Sequence, residues 1–133
     1  MLTENEIAYL AEQRLGRLAT AQPNGMLQNN PVSFGWNPAT QTIDIGGHNM
    51  ARSQKFRNVR AGSNAAFVVD DVKSVSPWVV RCLEIRGTAE ALDAPTDSAA
   101  PVGDGPIIRI HPTRIISWGI DPSETAMGKR DVT

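Results

Sequence analysis

The chain has 133 residues, a length that suits one domain around one hydrophobic core. Its composition, 41% hydrophobic and 20% charged, is that of an ordinary globular protein. A formal net charge of −1 and a pI near 6.1 leave no footprint for nucleic-acid binding, and no apolar run approaches the roughly 20 residues of a membrane span. The opening MLTENEIAYL carries acids where a signal peptide needs cations, and the lone Cys82 fits a reducing compartment, so a cytoplasmic protein is expected. Two histidines and one cysteine, in no ligand spacing, argue against a metal centre. Walker and GxGxxG motifs are absent as well.

Thr3-Glu4-Asn5-Glu6 reads as a capping box that starts a short helix with Ile7, Leu10 and Ala11 on one side. RLGRLATA (14–21) is strand-like, and QPNG (22–25) is turn chemistry. MLQNNPVSFGW (26–36) predicts a second strand, with Pro31 marking an edge, a bulge or an interruption. NPAT turns the chain into QTIDIGGH (41–48), where Ile43 and Ile45 alternate with polar neighbours as in a third strand. After a second helix, SNAAFVVDD (63–71) and WVVRCLEIRGTAEAL (78–92) predict strands four and five. A Pro/Gly/Ala/Asp loop (93–105) precedes PIIRIHPTRIISWGID (106–121), the sixth strand. Residues 1–121 thus form one domain, and 122–133 read as a loose tail. Six antiparallel strands with two short helices predict a small closed barrel.

The second helix is the most informative stretch. GGHNMARSQKFRNVRAG (46–62) gathers Arg52, Lys55, Arg57 and Arg60 in a chain with only 13 lysines and arginines. On one helix from 50 to 60, at about 100° per residue, Phe56 and Val59 mark the buried face, and Arg52 falls between them in angle. Lys55 lies about 60° to one side of Arg52, and Arg57 and Arg60 turn toward solvent. Cations in a first turn face the positive end of the helix dipole, an arrangement that an anion would relieve. Asn49 as N-cap would leave N–H groups free for phosphate, Ser53 adds a hydroxyl, and Gly46 and Gly47 would let a ligand approach the backbone. The alternative is a solvated face whose cations pair with Asp70, Asp71 or other acids.

The ordered set RLGRLAT, NPVSFGW, a strand ending in GGH, ARSQKFRNVRAGSNAAFVV and LEIRGTAE resembles the pyridoxamine 5′-phosphate oxidase-like split β-barrel superfamily. Within it, the chain is most similar to the actinobacterial flavin/deazaflavin oxidoreductases that use coenzyme F420, and RIHPTRIISWGID looks like one branch of that group. The resemblance implies a six-stranded antiparallel Greek-key split barrel of the FMN-binding type, a homodimer, and two cofactors in grooves at its interface. It implies that Arg52, Ser53 and Lys55, with Arg57, hold the cofactor phosphate. Asn30, Pro31, Val32 and Ser33 would line the ring system. The strands IIRI and RIISWGI, with faces that look too apolar to leave exposed, point the same way toward a dimer. The chain ends before the paired-arginine extension of true pyridoxamine phosphate oxidases, which argues against a B6 vitamer as substrate. The short 93–105 loop implies an open groove over the ring.

Other residues admit two readings each. Gly47 and His48 adjoin the clamp, and His48 is either a cofactor contact or a solvated turn residue. His111 beside Pro112 reads as structural. Trp78 and Trp118 would cover a cofactor face or fill an interface, and Trp36 packs. Cys82 has no neighbouring base and is no nucleophile. No catalytic side chain is expected, because a deazaflavin carries the chemistry itself. The expected function is hydride transfer between F420 and a small conjugated organic substrate. The alternatives are an FMN flavoprotein and a non-enzymatic cofactor- or haem-binding module of the same fold.

Overall fold

The computed structural model describes residues 1–103, 105–123 and 126–132. Helix α1 (Glu4–Glu12) begins with the predicted box: the Glu6 N–H donates to Thr3 Oγ1 at 3.2 Å, and the Thr3 N–H donates to Glu6 Oε1 at 2.9 Å. The strands are β1 (Gly16–Ala21), β2 (Leu27–Val32), β3 (Gly35–Asn37), β4 (Thr42–Ile45), β5 (Ala65–Ser74), β6 (Val79–Leu92), β7 (Ile107–Trp118) and β8 (Gly128–Asp131). Helix α2 spans Gln54–Arg60, behind a 3₁₀ turn at Met50–Arg52.

All strand pairs are antiparallel, in the order β2-β1-β5-β6-β7-β4-β3, with β8 also paired to β7. The two ends of that path, β2 and β3, are joined by Ser33 and Phe34 alone. With two linking residues, the three steps from Val32 to Gly35 reach no more than about 11 Å, so the sheet must curl until its ends come close. That is a barrel split between β2 and β3. Its interior follows the period of two: Phe67 and Val69 on β5, Leu83 and Ile85 on β6, and Ile108, Ile110 and Ile115 on β7 are fully buried. Each such side chain stabilises the fold by about 1.5–3 kcal/mol through removal from water.

The barrel has eight strands where six are predicted. The stretch 26–36 breaks in two, because the chain must cross from one end of the sheet to the other there. Pro31 lies on β2, an outer strand of the path, opposite Arg17, where a missing N–H costs no ladder bond on its free side. The expected tail supplies the other strand. Arg130 of β8 donates to the buried Glu6 carboxylate, at 2.9 Å from Nη1 to Oε2, and ties the C-terminal strand to α1. The β7 isoleucines are covered by their own chain, so they supply no dimer face. The large apolar residues left in water are others, with Leu27 76%, Val75 75% and Trp78 66% exposed. No described helix is long and apolar enough to cross a membrane.

Candidate functional site

The basic segment is not one helix. Asn49 adopts a left-handed backbone (φ 55°) and makes no side-chain cap; Met50–Arg52 form the 3₁₀ turn, and Ser53 is extended (φ −72°, ψ 149°). Ser53 is itself the N-cap of α2. Its Oγ accepts from the Phe56 N–H at 3.2 Å and donates to the Met50 carbonyl at 2.7 Å. A single helical wheel therefore does not carry from Arg52 to Lys55, although Phe56 and Val59 are buried as it predicts. Arg57 reaches back across the break, donating from Nη1 to the Arg52 carbonyl and from Nη2 to Gln54 Oε1, both at 2.9 Å. It closes the junction.

Asp70 and Asp71, which could have neutralised this cluster, are engaged elsewhere. Asp70 pairs with Arg17, and Asp71 accepts two bonds from Arg81, at 2.9 and 2.6 Å. That guanidinium, more than the burial that opposes it, holds the Asp71 carboxyl below the usual carboxylate range. Arg60 pairs with Asp93 at 2.6 Å and lies 4.9 Å from the Phe56 ring centroid. Arg52, exposed, and Lys55, half-buried, have no ion-pair partner among the described residues. Two uncommitted cations on consecutive turns of backbone are the donor set that a phosphate group fits.

Buried Asn58 ties this junction to the edge strand. Its Nδ2 donates to Thr20 Oγ1 at 3.0 Å and to Gln28 Oε1 at 3.4 Å, and Gln28 Nε2 donates to Asn30 Oδ1 at 2.6 Å. The chain of bonds from α2 through β1 to β2 brings the predicted clamp and the predicted ring-lining strand into one region. Asn58, Thr20 and Gln28 escaped the sequence reading, since lone amides and hydroxyls carry no spacing signal. Of the ring-lining set, Val32 is buried in the core and Pro31 is exposed. Ser33 lines a cleft of about 660 Å³ between α1 and β3.

The first glycine of the doublet, Gly46, serves the chain itself. A Cβ at Gly46 would stand 2.3 Å from the Val102 carbonyl oxygen, and one at Gly35 would stand 1.8 Å from that of Ala99. These glycines admit the 93–105 loop against β3 and β4, rather than a ligand. On the loop side, a Cβ at Gly103 would stand 2.8 Å from the Gly47 carbonyl oxygen, whereas the Cβ position of Gly47 itself is open, with only the Met50 methyl group 3.9 Å away. The loop is held down by Asp44, fully buried on β4. Arg109 donates to it from Nε and Nη2 at 3.0 and 3.1 Å, Asn37 at 2.9 Å, the Ala99 N–H at 2.9 Å and Thr42 at 2.9 Å. Burial alone would raise the Asp44 pKa; the Arg109, Asn37, Ala99 and Thr42 bonds together outweigh it and hold the carboxyl low. Arg109 also pairs with Asp97 at 2.9 Å, on the loop itself.

His48 is exposed and has no hydrogen-bond partner among the described residues. His111 pairs with Glu90 at 2.7 Å on the surface. Trp78 stands at the tip of the β5–β6 hairpin. That is the far end of a ten-residue strand from Ala65, hence about 30 Å from the end that follows α2. Within one chain, Trp78 does not join Arg52 and Lys55. Tyr9 donates to Asp71 at 2.8 Å, and burial with that carboxylate pushes its pKa up, so it is no acid. No group of three or more metal-ligating side chains occurs among the described residues. Burial, followed by the charges of Asp70 and Glu84, pushes the Cys82 thiol up to about 11. A thiol so held is protonated and shielded near neutrality, so a disulfide reagent at pH 7.5 is expected to label native Cys82 at least about 100-fold more slowly than the denatured chain. Comparable rates would show an accessible thiolate.

The sequence model of pyridoxamine 5′-phosphate oxidase matches residues 2–119. The chain belongs to this family. It is 46% identical over 132 residues to a 5a,11a-dehydrotetracycline/5a,11a-dehydrooxytetracycline reductase of Streptomyces rimosus, a match covering 98% of this chain and 93% of the relative. Among solved structures, an F420 reductase superposes with a TM-score of 0.63 at 25% identity, covering 86% of this chain and 98% of the other. An FAD binding protein from Mycobacterium smegmatis superposes at 0.65 with 20% identity, covering 88% of this chain and 94% of the other. The last is a likeness of fold.

Proposed function

We propose that this protein is an F420-dependent oxidoreductase that reduces a conjugated double bond of a small organic substrate, working as a cytoplasmic homodimer. The observation that carries the reading is the 46% identity to a dehydrotetracycline reductase across nearly the whole chain. The uncommitted Arg52 and Lys55 support a phosphate-bearing cofactor, and the F420 reductase of like fold supports a deazaflavin. Bound there, the deazaflavin supplies the hydride.

The chain's own residues hold and orient. Arg52 and Lys55 pair with the phosphate, while Arg57 fixes the turn from which they project. Asn30 and Ser33 present polar groups along the edge strand, where Asn58 keeps β2 in register with α2. The pinned 93–105 loop excludes water from the β3–β4 edge. Solvent, or exposed His48, delivers the proton that accompanies reduction at carbon. FMN is the second reading, in keeping with an FMN binding protein of Nostoc punctiforme that shares the fold.

Titration of the apo-protein with F420 and with FMN, at matched concentrations, separates the two. F420 is expected to bind at least about tenfold more tightly, a difference of about 1.4 kcal/mol. Equal or tighter FMN binding would transfer the assignment. Light scattering of the same sample is expected at twice 14.4 kDa. Exposed Leu27, Val75 and Trp78 provide apolar surface for that contact.

A further inference from the structure

The cleft between α1 and β3 is a separate cavity from the basic junction and has the build of a ligand site. Its volume of about 660 Å³ lies within the 300–1,000 Å³ range of small-molecule pockets. Ile7, Leu10 and Ala11 of α1 form one wall, and Phe34 with Trp36 forms the other. Val102 closes one side. The lining is mostly apolar, with three polar side chains at the rim whose hydrogen-bonding groups are unspent: Gln13, Arg14 and Ser33 make no side-chain bond among the described residues. The rim's one acid, Glu12, faces Arg81 at 3.2 Å, so Arg14 is the uncompensated charge there.

The cleft also adjoins the basic segment through the chain. Val102, part of its wall, sits on Gly46, six residues before Arg52. Ser33 belongs at once to the cleft and to the link that closes the barrel. A molecule in the cleft therefore lies beside the strand that the cofactor ring is proposed to follow.

We propose that this cleft is the substrate site, and that it takes a flat, multi-ring organic molecule bearing an acidic oxygen, with the rings between α1 and Trp36 and the oxygen on Arg14. The choice of a multi-ring substrate rests on the reductase reading above; the place and the charge preference come from the cleft itself. Arg14 acts as a specificity-determining residue. Neutral compounds of the same shape lose its ion pair, and cationic ones are repelled.

The test uses tetracycline, a four-ring molecule with an acidic enolised dicarbonyl, as the probe. Binding to the full chain is followed by quenching of tryptophan fluorescence and by backbone amide shifts, without cofactor and again with F420. Wild type is expected to bind, with shifts at Ala11, Gly35 and Val102. Arg14→Gln is expected to weaken binding about tenfold, the scale of one charge-assisted hydrogen bond. Ala11→Trp, on an exposed helical position, fills the cleft and is expected to abolish binding while leaving the circular dichroism and the F420 affinity unchanged. The proposal is overturned if wild type fails to bind tetracycline in both states, or if either variant keeps wild-type affinity. Failure of F420 to bind would instead strike the cofactor reading and leave the cofactor-free titration standing.

Discussion

Replacing Asp44 with alanine is expected to destabilise the protein by about 3–5 kcal/mol, the cost of stranding a buried ion-pair partner. Arg109 loses both bonds to the carboxylate with its side chain only 9% exposed, and Asn37 and Ala99 each lose an acceptor. Asp97 stays bonded to Arg109, but its own side chain is 53% exposed and sits on the loop that Asp44 anchors. For a domain of this size the melting temperature should fall by about 10–20 °C. A fall under about 3 °C would show that Arg109 finds water or that Asp97 suffices. The sign with pH follows from the depressed Asp44 pKa. The carboxylate's contribution is present above the ordinary carboxylate range near 4 and is lost as pH falls through its lower folded-state value. Wild type should therefore lose its advantage over Asp44→Ala in acid, and the two melting curves should converge. A double variant, Asp44→Leu with Arg109→Met, is expected to recover much of the loss, because the pair's merit lies in mutual satisfaction.

That network also shows where the sequence is legible and where it is not. Alternation in TIDI places Ile43 and Ile45 in the core, and both are fully buried. The same alternation makes Asp44 an outward, solvated residue. It is buried because the 93–105 loop folds over that face, and a contact 55 residues away, Ala99 to Asp44, leaves no local pattern. Gly35 and Gly46 do leave a signal, but an ambiguous one. A glycine reports that something approaches the backbone, without saying whether it is a ligand or the chain. The capping box at Thr3 is legible because both partners lie within one turn. The helix break at Ser53 is written in the residue itself, a favoured N-cap, but the run of basic and apolar residues around it fits one continuous wheel equally well. β8 is invisible for a third reason: GKRD has no apolar face, and its place comes from pairing to β7 and from the Arg130–Glu6 contact across the whole chain.

The clamp itself carries the largest functional effect. Arg52→Ala and Lys55→Ala are each expected to weaken F420 binding by about 1.5–3 kcal/mol, roughly 10- to 150-fold. Lys55 should lie at the upper end, since it is half-buried and its pairing less screened, and exposed Arg52 at the lower. The double variant should reach or exceed about 1,000-fold if the two act independently. Phosphate recognition is separated from a general loss of shape by the ring system without its phosphate. In wild type the phosphate-free deazaflavin should bind far more weakly than F420. In the double variant the two should bind alike, and the salt dependence of F420 binding should flatten. Arg57→Ala tests the division of roles. It removes the bonds to Arg52 and Gln54, so it should lower thermal stability and loosen the clamp indirectly, while preserving discrimination for the phosphate. If the double variant still prefers F420 over its phosphate-free ring by the wild-type factor, the phosphate is held elsewhere, and the free cations at the helix junction are only a solvated face.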